Sequence, residues 1–407
     1  MSQPSALAIL RSPRTIRERA AQLLAAGTAG QLAHFRVDMA RLPEVARLTA
    51  EITRQRYPDL RVPAHSRFTH FDAAGVQRTA ALERDLSGLP ALERARRLTE
   101  LVVVSVLLDA GAGSAWGYVE PSTGIRLGRS EGLAVASLDW AASGGLSAQR
   151  HAYRVDAAGL HAVAAQALAT AFQVTSDNPL VGLPGRVHLL RALGTALSER
   201  PDVFGEERRI GGLVDRLCER SHAGTIAASD VLALLLDALG SIWPGRLTLE
   251  GVPLGDVWVH AAISGEGATQ QLLPLHKLSQ WLCYSLIQPL AVAGLTMSGL
   301  DALTGLAEYR NGGLFLDGGV LAPTRAAALS ETHAVGSELV VEWRGLTVAL
   351  LDRIAPLVRS ELSLSESELP LAAVLEGGTW AAGRALAQRL REDGGPPLRI
   401  VSDGTVF

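Results

Sequence analysis

The stretch from Leu300 to Leu314, LDALTGLAEYRNGGL, is the richest in groups that can do chemistry. Asp301 and Glu308 stand seven residues apart, two turns if the segment is helical, which would set both acids on one face. Carboxylates so placed suit glycosyl transfer, where an acid beside the anomeric carbon acts as nucleophile, stabilises positive charge or activates water. Tyr309 and Arg310 follow directly, and an arginine there binds a phosphate or holds the carboxylate in place. A plain structural alternative stays open, with Asp301 as a helix cap and Glu308 paired to Arg310.

Just upstream, LLPLHKLSQWLCYSLIQPL (272–290) sets His276, Lys277 and Gln280 on one polar face with Trp281 nearby. His276 and Lys277 suit a phosphate and Trp281 the wall of a base pocket; a structural histidine and a core tryptophan are the alternatives. HSRFTHF (65–71) groups His65, Arg67, His70 and Phe71 as a substrate rim, without the third ligand that a metal site needs. In GRSEGLAVAS (128–137), Arg129, Ser130 and Glu131 fall at a loop-to-helix boundary, where backbone N–H groups can meet an anion. Asp256 and Trp258 in GDVWVH, with His260 beyond, read as an edge for a ring. Asp177 and Asn178 stand at a turn, where such residues often serve as caps. Glu338 and Glu342 share a helix face beside Trp343 and Arg344, which costs stability unless a cation is near or the face is exposed. EGGTWAAGR (376–384) and the terminal SDGTVF read as structural joints. Walker A, HExxH, Rossmann and GxSxG patterns are absent, and GAGSAWG (111–117) lacks the strand–turn–helix setting of a dinucleotide loop.

Helices must position these groups. Ser12-Pro13 opens one that stops near Gly27, and Leu42, Val45, Leu48 and Ile52 stripe a second that ends at Tyr57-Pro58. Leu98, Leu101, Val102, Ser105 and Leu108 mark a third, followed by a Gly-rich connection over 109–129. Further helices are predicted over 157–172, 187–197, 214–220 and 229–239, from Lys277 to near Pro289, and over 337–357. Strand signals are confined to GRLTLEGVPLGDVWVH, a candidate hairpin, and LRIVSDGTVF, a candidate terminal pair. The fold class expected is mainly α with small β hairpins. A chain of 407 residues, net charge −3 and 48% apolar residues is neither disordered nor polybasic. Cys218 and Cys283 make no disulfide framework, no secretory signal is evident, and no apolar run reaches a membrane span. These features predict a reduced, cytoplasmic protein without a nucleic-acid polymer, a membrane, a cofactor or a metal as partner. A homodimer is compatible with them.

PAHSRFTHF, LLDAGAG, RSEGLAVAS, FQVTSDNPLVG, PLHKLSQWL, LTGLAEYRNGGL, HAVGSELVVEWR, LEGGTWAAGR and SDGTVF together resemble the family of domain of unknown function 1688, the fungal uracil-catabolism protein four family. That resemblance spans essentially the whole chain and implies one family-wide unit, 1–407. A subdivision into helical halves, 1–210 and 211–407, remains open, the second half carrying the catalytic segment. It also implies a place in uracil breakdown, thought to pass through a uracil nucleotide and an opened ribosyl-urea intermediate.

PLHKLSQWL with LTGLAEYRNGG also resembles, more distantly, the queuosine-salvage nucleotide N-glycosidases, helical proteins reminiscent of DNA glycosylases. Those carry Asp where this chain has Glu308, and a proline-containing continuation where it has Asn311-Gly312-Gly313. The two resemblances together imply hydrolysis of a nucleotide-like N-riboside, with phosphoribosyl-urea as the leading substrate. Glu308 would then be catalytic with Asp301 in reserve. His276, Lys277 and Arg310 would hold phosphate, and Trp281, Phe71 and Asp256 the base or urea, with His65, Trp258 and Tyr309 completing the binding set. Two rivals stay open: a ring-opening or amide hydrolase with a metal on His65, His70 and a carboxylate, and a non-enzymatic binding protein of the pathway. The glycosidase reading requires the 276–281 and 301–310 segments to converge on a single cavity, with an acid poised where a sugar carbon can sit and Glu308 away from open solvent.

Overall fold

The computed structural model describes residues 5–243 and 247–401. Gly245 and Arg246, at the start of the candidate hairpin, and SDGTVF, the second half of the candidate terminal pair, lie outside the described residues. The architecture is mainly α-helical with small two-stranded β elements. Two compact units are built from interleaved segments: Met1–His65, Arg246–Gln280 and Gly299–Val401 in the first, Ser66–Gly245 and Trp281–Ser298 in the second. A cut between 210 and 211 falls inside the second of these. Among the described residues, no helix is long and apolar enough to cross a membrane.

In the first unit, the helix Glu338–Leu362 buries a stripe of Leu339, Trp343, Leu346 and Leu350 against the helices Pro13–Thr28 and Leu42–Arg56. Gly345 lets it approach closely, because a Cβ there would run into Leu23 and Leu273. Pro13 occupies the first helical turn, where a missing N–H costs nothing, and the second helix stops at Tyr57 as its pattern predicts. Val257–Val259 pairs antiparallel with Leu272–Pro274, and Phe35–Val37 with Leu321–Pro323. The candidate hairpin is present as Thr248–Leu249 against Val252–Pro253, and Arg399–Ile400 pairs parallel with Thr332–His333.

In the second unit, the helix Ala91–Leu107 packs on Arg129–Ala142 and on Gly212–Arg220. The Gly-rich connection holds a short antiparallel ribbon, Gly117–Val119 with Arg126–Gly128. The helix expected over 157–172 is broken into Ala157–His161 and Ala165–Ala171. Between them the Val163 carbonyl accepts from Arg191 Nε at 2.9 Å, a tertiary bond in place of a helical one. The helix from Lys277 runs past Pro289 to Val292, three residues beyond the expected stop. It counts with the first unit through Gln280 and with the second from Trp281.

Candidate functional site

The 300–314 segment is not one helix. Leu300–Ala302 is a single 3-10 turn, and the next helix is Tyr309–Asp317. Asp301 and Glu308 therefore do not share a helical face; Asp301 is exposed, while Glu308 is buried. The intervening residues take their hydrogen bonds from tertiary partners. Thr304 N donates to Gln280 Oε1 at 2.8 Å, and Arg344 Nε donates to the Ala307 carbonyl at 3.2 Å. Gln280 Nε2 returns a bond to Thr304 Oγ1 at 2.8 Å. The start of the Lys277 helix and the 304–310 segment thus lie together.

Glu308 is the N-cap of the Tyr309–Asp317 helix, with extended backbone and a carboxylate turned onto the first turn. Its Oε2 accepts from Arg310 N and its Oε1 from Asn311 N, both at 2.6 Å. Burial pushes the Glu308 carboxyl above its ordinary pKa, and the Lys277 charge and these two N–H groups hold back part of that rise. In place of the structural alternative, an ion pair between Glu308 and the Arg310 side chain, the bond is to the Arg310 main chain. The Arg310 guanidinium lies over the half-buried Tyr309 ring at 5.0 Å and donates from Nη1 to the Gly394 carbonyl at 3.0 Å. The glycines after Asn311 belong to this packing. Gly312 sits flush on the Trp343 indole, whose Nε1 donates to the Gly312 carbonyl at 3.1 Å.

Asp256 precedes the Val257–Val259 strand, and pairing with Leu272–Pro274 sets it beside the start of the Lys277 helix. Lys277 N donates to its Oδ2 at 2.9 Å and Trp258 Nε1 to its Oδ1 at 2.6 Å. Arg344 grips both oxygens, Nη1 on Oδ1 at 2.7 Å and Nη2 on Oδ2 at 2.9 Å. Burial alone would raise this acid, but the Arg344 cation and the other donors hold it well below the carboxylate range. With so many internal partners, Asp256 and Trp258 tie the strand, the Lys277 helix and the Glu338–Leu362 helix together, where a ring-binding edge was expected. His276 has left-handed backbone (φ +46°), and its Nε2 lies 3.0 Å from the Leu10 carbonyl. Burial lowers its pKa, and Nε2, facing a carbonyl oxygen, is the donor in that contact. Lys277 is buried directly after it.

His65 is also buried in the first unit, with Nδ1 2.7 Å from Glu376 Oε2. Glu376 Oε1 accepts from Arg56 Nη2 at 2.9 Å and Tyr57 OH at 3.0 Å. Glu376 stands on a π-helical turn, Leu375–Thr379, where the sequence suggested only a glycine-rich joint. The missed signal is a single acid inside an apolar run, LAAVLEGG, since an acid buried there needs partners. Glu338 and Glu342 each face a histidine: His34 Nε2 is 3.6 Å from Glu338, and His260 Nε2 is 3.3 Å from Glu342.

The other members of the HSRFTHF cluster belong to the second unit and do not form an open rim. Phe71 is fully buried, edge-on to Phe68 at 5.7 Å. The buried Arg67 pairs with Asp109 at 3.1 Å and lies over the Trp281 ring at 5.4 Å. His70 Nδ1 is 2.9 Å from Ser130 Oγ, which donates to Asp109 Oδ2 at 2.8 Å. Arg129 and Ser130 open the helix Arg129–Ala142, as expected. Asn178 clips Gly117, taking its N–H on Oδ1 and donating from Nδ2 to its carbonyl, both at 2.9 Å. Among the described residues, no three or more His, Cys, Asp or Glu side chains are grouped to hold a metal ion.

Comparison with known proteins gives consistent matches. "Uracil catabolism protein 4" of Lachancea kluyveri is 39% identical over 411 residues, covering 93% of this chain and 93% of that protein. "Protein urg3" of Schizosaccharomyces pombe is 38% identical over 411 residues, covering 98% and 99%. A family model described as "Protein of unknown function (DUF1688)" matches residues 9–407. With a match of that extent and two relatives aligned nearly end to end, the chain belongs to the DUF1688 family.

Proposed function

We propose that this protein hydrolyses the N-glycosidic bond of a nucleotide-like riboside in uracil breakdown, with phosphoribosyl-urea as substrate and ribose phosphate and urea as products. One observation carries the reading: Glu308 is a buried carboxylate, fixed by two backbone N–H groups and influenced by the Lys277 charge. Such an acid suits an oxocarbenium-like centre, because the low dielectric around it strengthens its attraction for positive charge. The name of the Lachancea kluyveri relative supplies the pathway, and the likeness of the 273–281 and 303–313 strings to nucleotide N-glycosidases supplies the reaction class.

In this mechanism the C1′–N bond breaks and its electron pair leaves with nitrogen. Glu308 stabilises the cationic C1′ and orients a water whose oxygen bonds to it. The proton lost by that water balances the one gained by the departing nitrogen, so urea leaves neutral. Lys277 and Arg310 hold the 5′-phosphate. His276, already committed to the Leu10 carbonyl, supports the turn that presents Lys277. Asp256 and Arg344 are positioning residues: one binds the Lys277 main chain, the other the Ala307 carbonyl just before Glu308.

The test is release of urea from phosphoribosyl-urea, and of uracil from uridine monophosphate, by the purified protein. Glu308→Gln is expected to lower turnover by at least about 100-fold while the far-UV circular dichroism stays the same. Absence of release from either compound, or full activity in the variant, rejects the assignment.

A further inference from the structure

Asn311 is 1% exposed, and its main-chain N–H is bonded to Glu308 Oε1 at 2.6 Å. Its side chain folds back over the turn before Glu308, with Nδ2 donating to the Leu306 carbonyl at 3.2 Å. That bond fixes the amide orientation, since two carbonyl oxygens cannot share a hydrogen bond. Oδ1 is therefore the other atom of the amide, and it is buried with no hydrogen-bond partner. Buried acceptors are almost always satisfied, and an unpaired one marks a place where a donor is missing. Here the unpaired acceptor is on the residue that clasps the candidate catalytic carboxylate.

We propose that Asn311 selects the leaving group by accepting an N–H from a ureido substituent on the sugar. This inference rests on the glycosidase reading and adds a specificity to it. In a ribosyl-urea the glycosidic nitrogen still carries a hydrogen and the terminal NH2 carries two more. In an intact uracil nucleotide, N1 is bonded to C1′ and to two ring carbons and has no hydrogen to give; only N3, which corresponds to the terminal nitrogen of the urea, keeps an N–H. An acceptor that meets the glycosidic N–H thus favours the ring-opened ureido compound over the closed pyrimidine. A site built around a buried polar group rejects a ligand that leaves it unpaired, typically by a larger factor than shape alone achieves.

The chain has only two asparagines, Asn178 and Asn311, so protein labelled with 15N-asparagine gives just two side-chain amide signals, assigned with Asn311→Asp. N-methylurea and phosphoribosyl-urea are expected to shift the Asn311 signal. Tetramethylurea and ribose 5-phosphate, which lack the N–H, are expected to leave it in place. In binding assays, Asn311→Leu is expected to weaken phosphoribosyl-urea by about 10- to 100-fold and to leave ribose 5-phosphate unchanged. Equal loss for both ligands would reveal a purely structural role, and an Asn311 signal indifferent to N-methylurea would mean a fixed water or an idle acceptor; either result overturns the proposal. Ligand-dependent shifts without any urea release would instead sink the glycosidase reading and leave the recognition role standing.

Discussion

Glu308 does two jobs that pull in opposite directions. As an N-cap it is best ionised, because its oxygens receive the Arg310 and Asn311 N–H groups. As a buried acid it is best neutral, and burial prevails, so its pKa lies above the ordinary Glu value of about 4.3. The sign for catalysis follows directly. If the ionised form is the active one, kcat/KM climbs with pH through a limb displaced above that ordinary value. Lys277 lowers the pKa, so Lys277→Met is expected to move the limb still higher; a pH–rate profile of both proteins checks this. The sign for stability is the reverse. A carboxyl with a raised folded-state pKa contributes stability below its unfolded value and loses it as pH rises through the folded one. Stability of the wild type relative to Glu308→Gln is therefore expected to decline over that interval in denaturation experiments.

Among the elements, the helix Glu338–Leu362 links most of the site. Trp343 meets Gly312, Arg344 holds Asp256 and Ala307, and Glu342 reaches the Phe35–Val37 strand. Glu342 Oε1 accepts from His34 N at 3.1 Å and Phe35 N at 2.8 Å, while its Oε2 faces His260. Removing it strands buried donors, and each unpaired one costs about 1–3 kcal/mol. Glu342→Ala is thus expected to lower unfolding stability by roughly 2–4 kcal/mol, with Glu342→Gln losing less because one acceptor remains. Equilibrium denaturation measures both. The π-turn Leu375–Thr379 acts similarly on a smaller scale. Gly377 and Gly378 press against Thr53 and Thr49, where a Cβ would be crowded, and this brings Glu376 to Arg56, Tyr57 and His65.

At the scale of the whole molecule, the family match and both fungal alignments run through the segments of the two compact units. Each unit also has its own buried ion pairs. In the second, Arg78 Nε and Nη2 bind Glu120 at 2.6 and 2.7 Å and hold its carboxyl below the usual range. A depressed carboxylate contributes stability above its unfolded pKa and loses it as pH falls through the folded value. The advantage of the wild type over Glu120→Gln is therefore expected to be largest near neutrality and to shrink below about pH 4.3. Denaturant midpoints at neutral and acid pH read this directly, and an advantage that grew on acidification would contradict the pairing.

The sequence by itself determined the mainly helical class, the family, and the helices whose apolar spacing or proline start is local information, such as Pro13–Thr28, Leu42–Arg56 and Glu338–Leu362. It also placed Arg129 and Ser130 at a helix start. Only the tertiary structure decided that Asp301 and Glu308 part company, because Leu303–Ala307 satisfies backbone groups through Gln280 and Arg344 in place of helical neighbours. The same holds for Asp256, whose role is set by Arg344, eighty-eight residues away in the chain, and for Glu376, which meets His65 from a distance of 311. Local spacing encodes which face of a helix is apolar; which distant donor reaches a buried carboxylate is decided by packing.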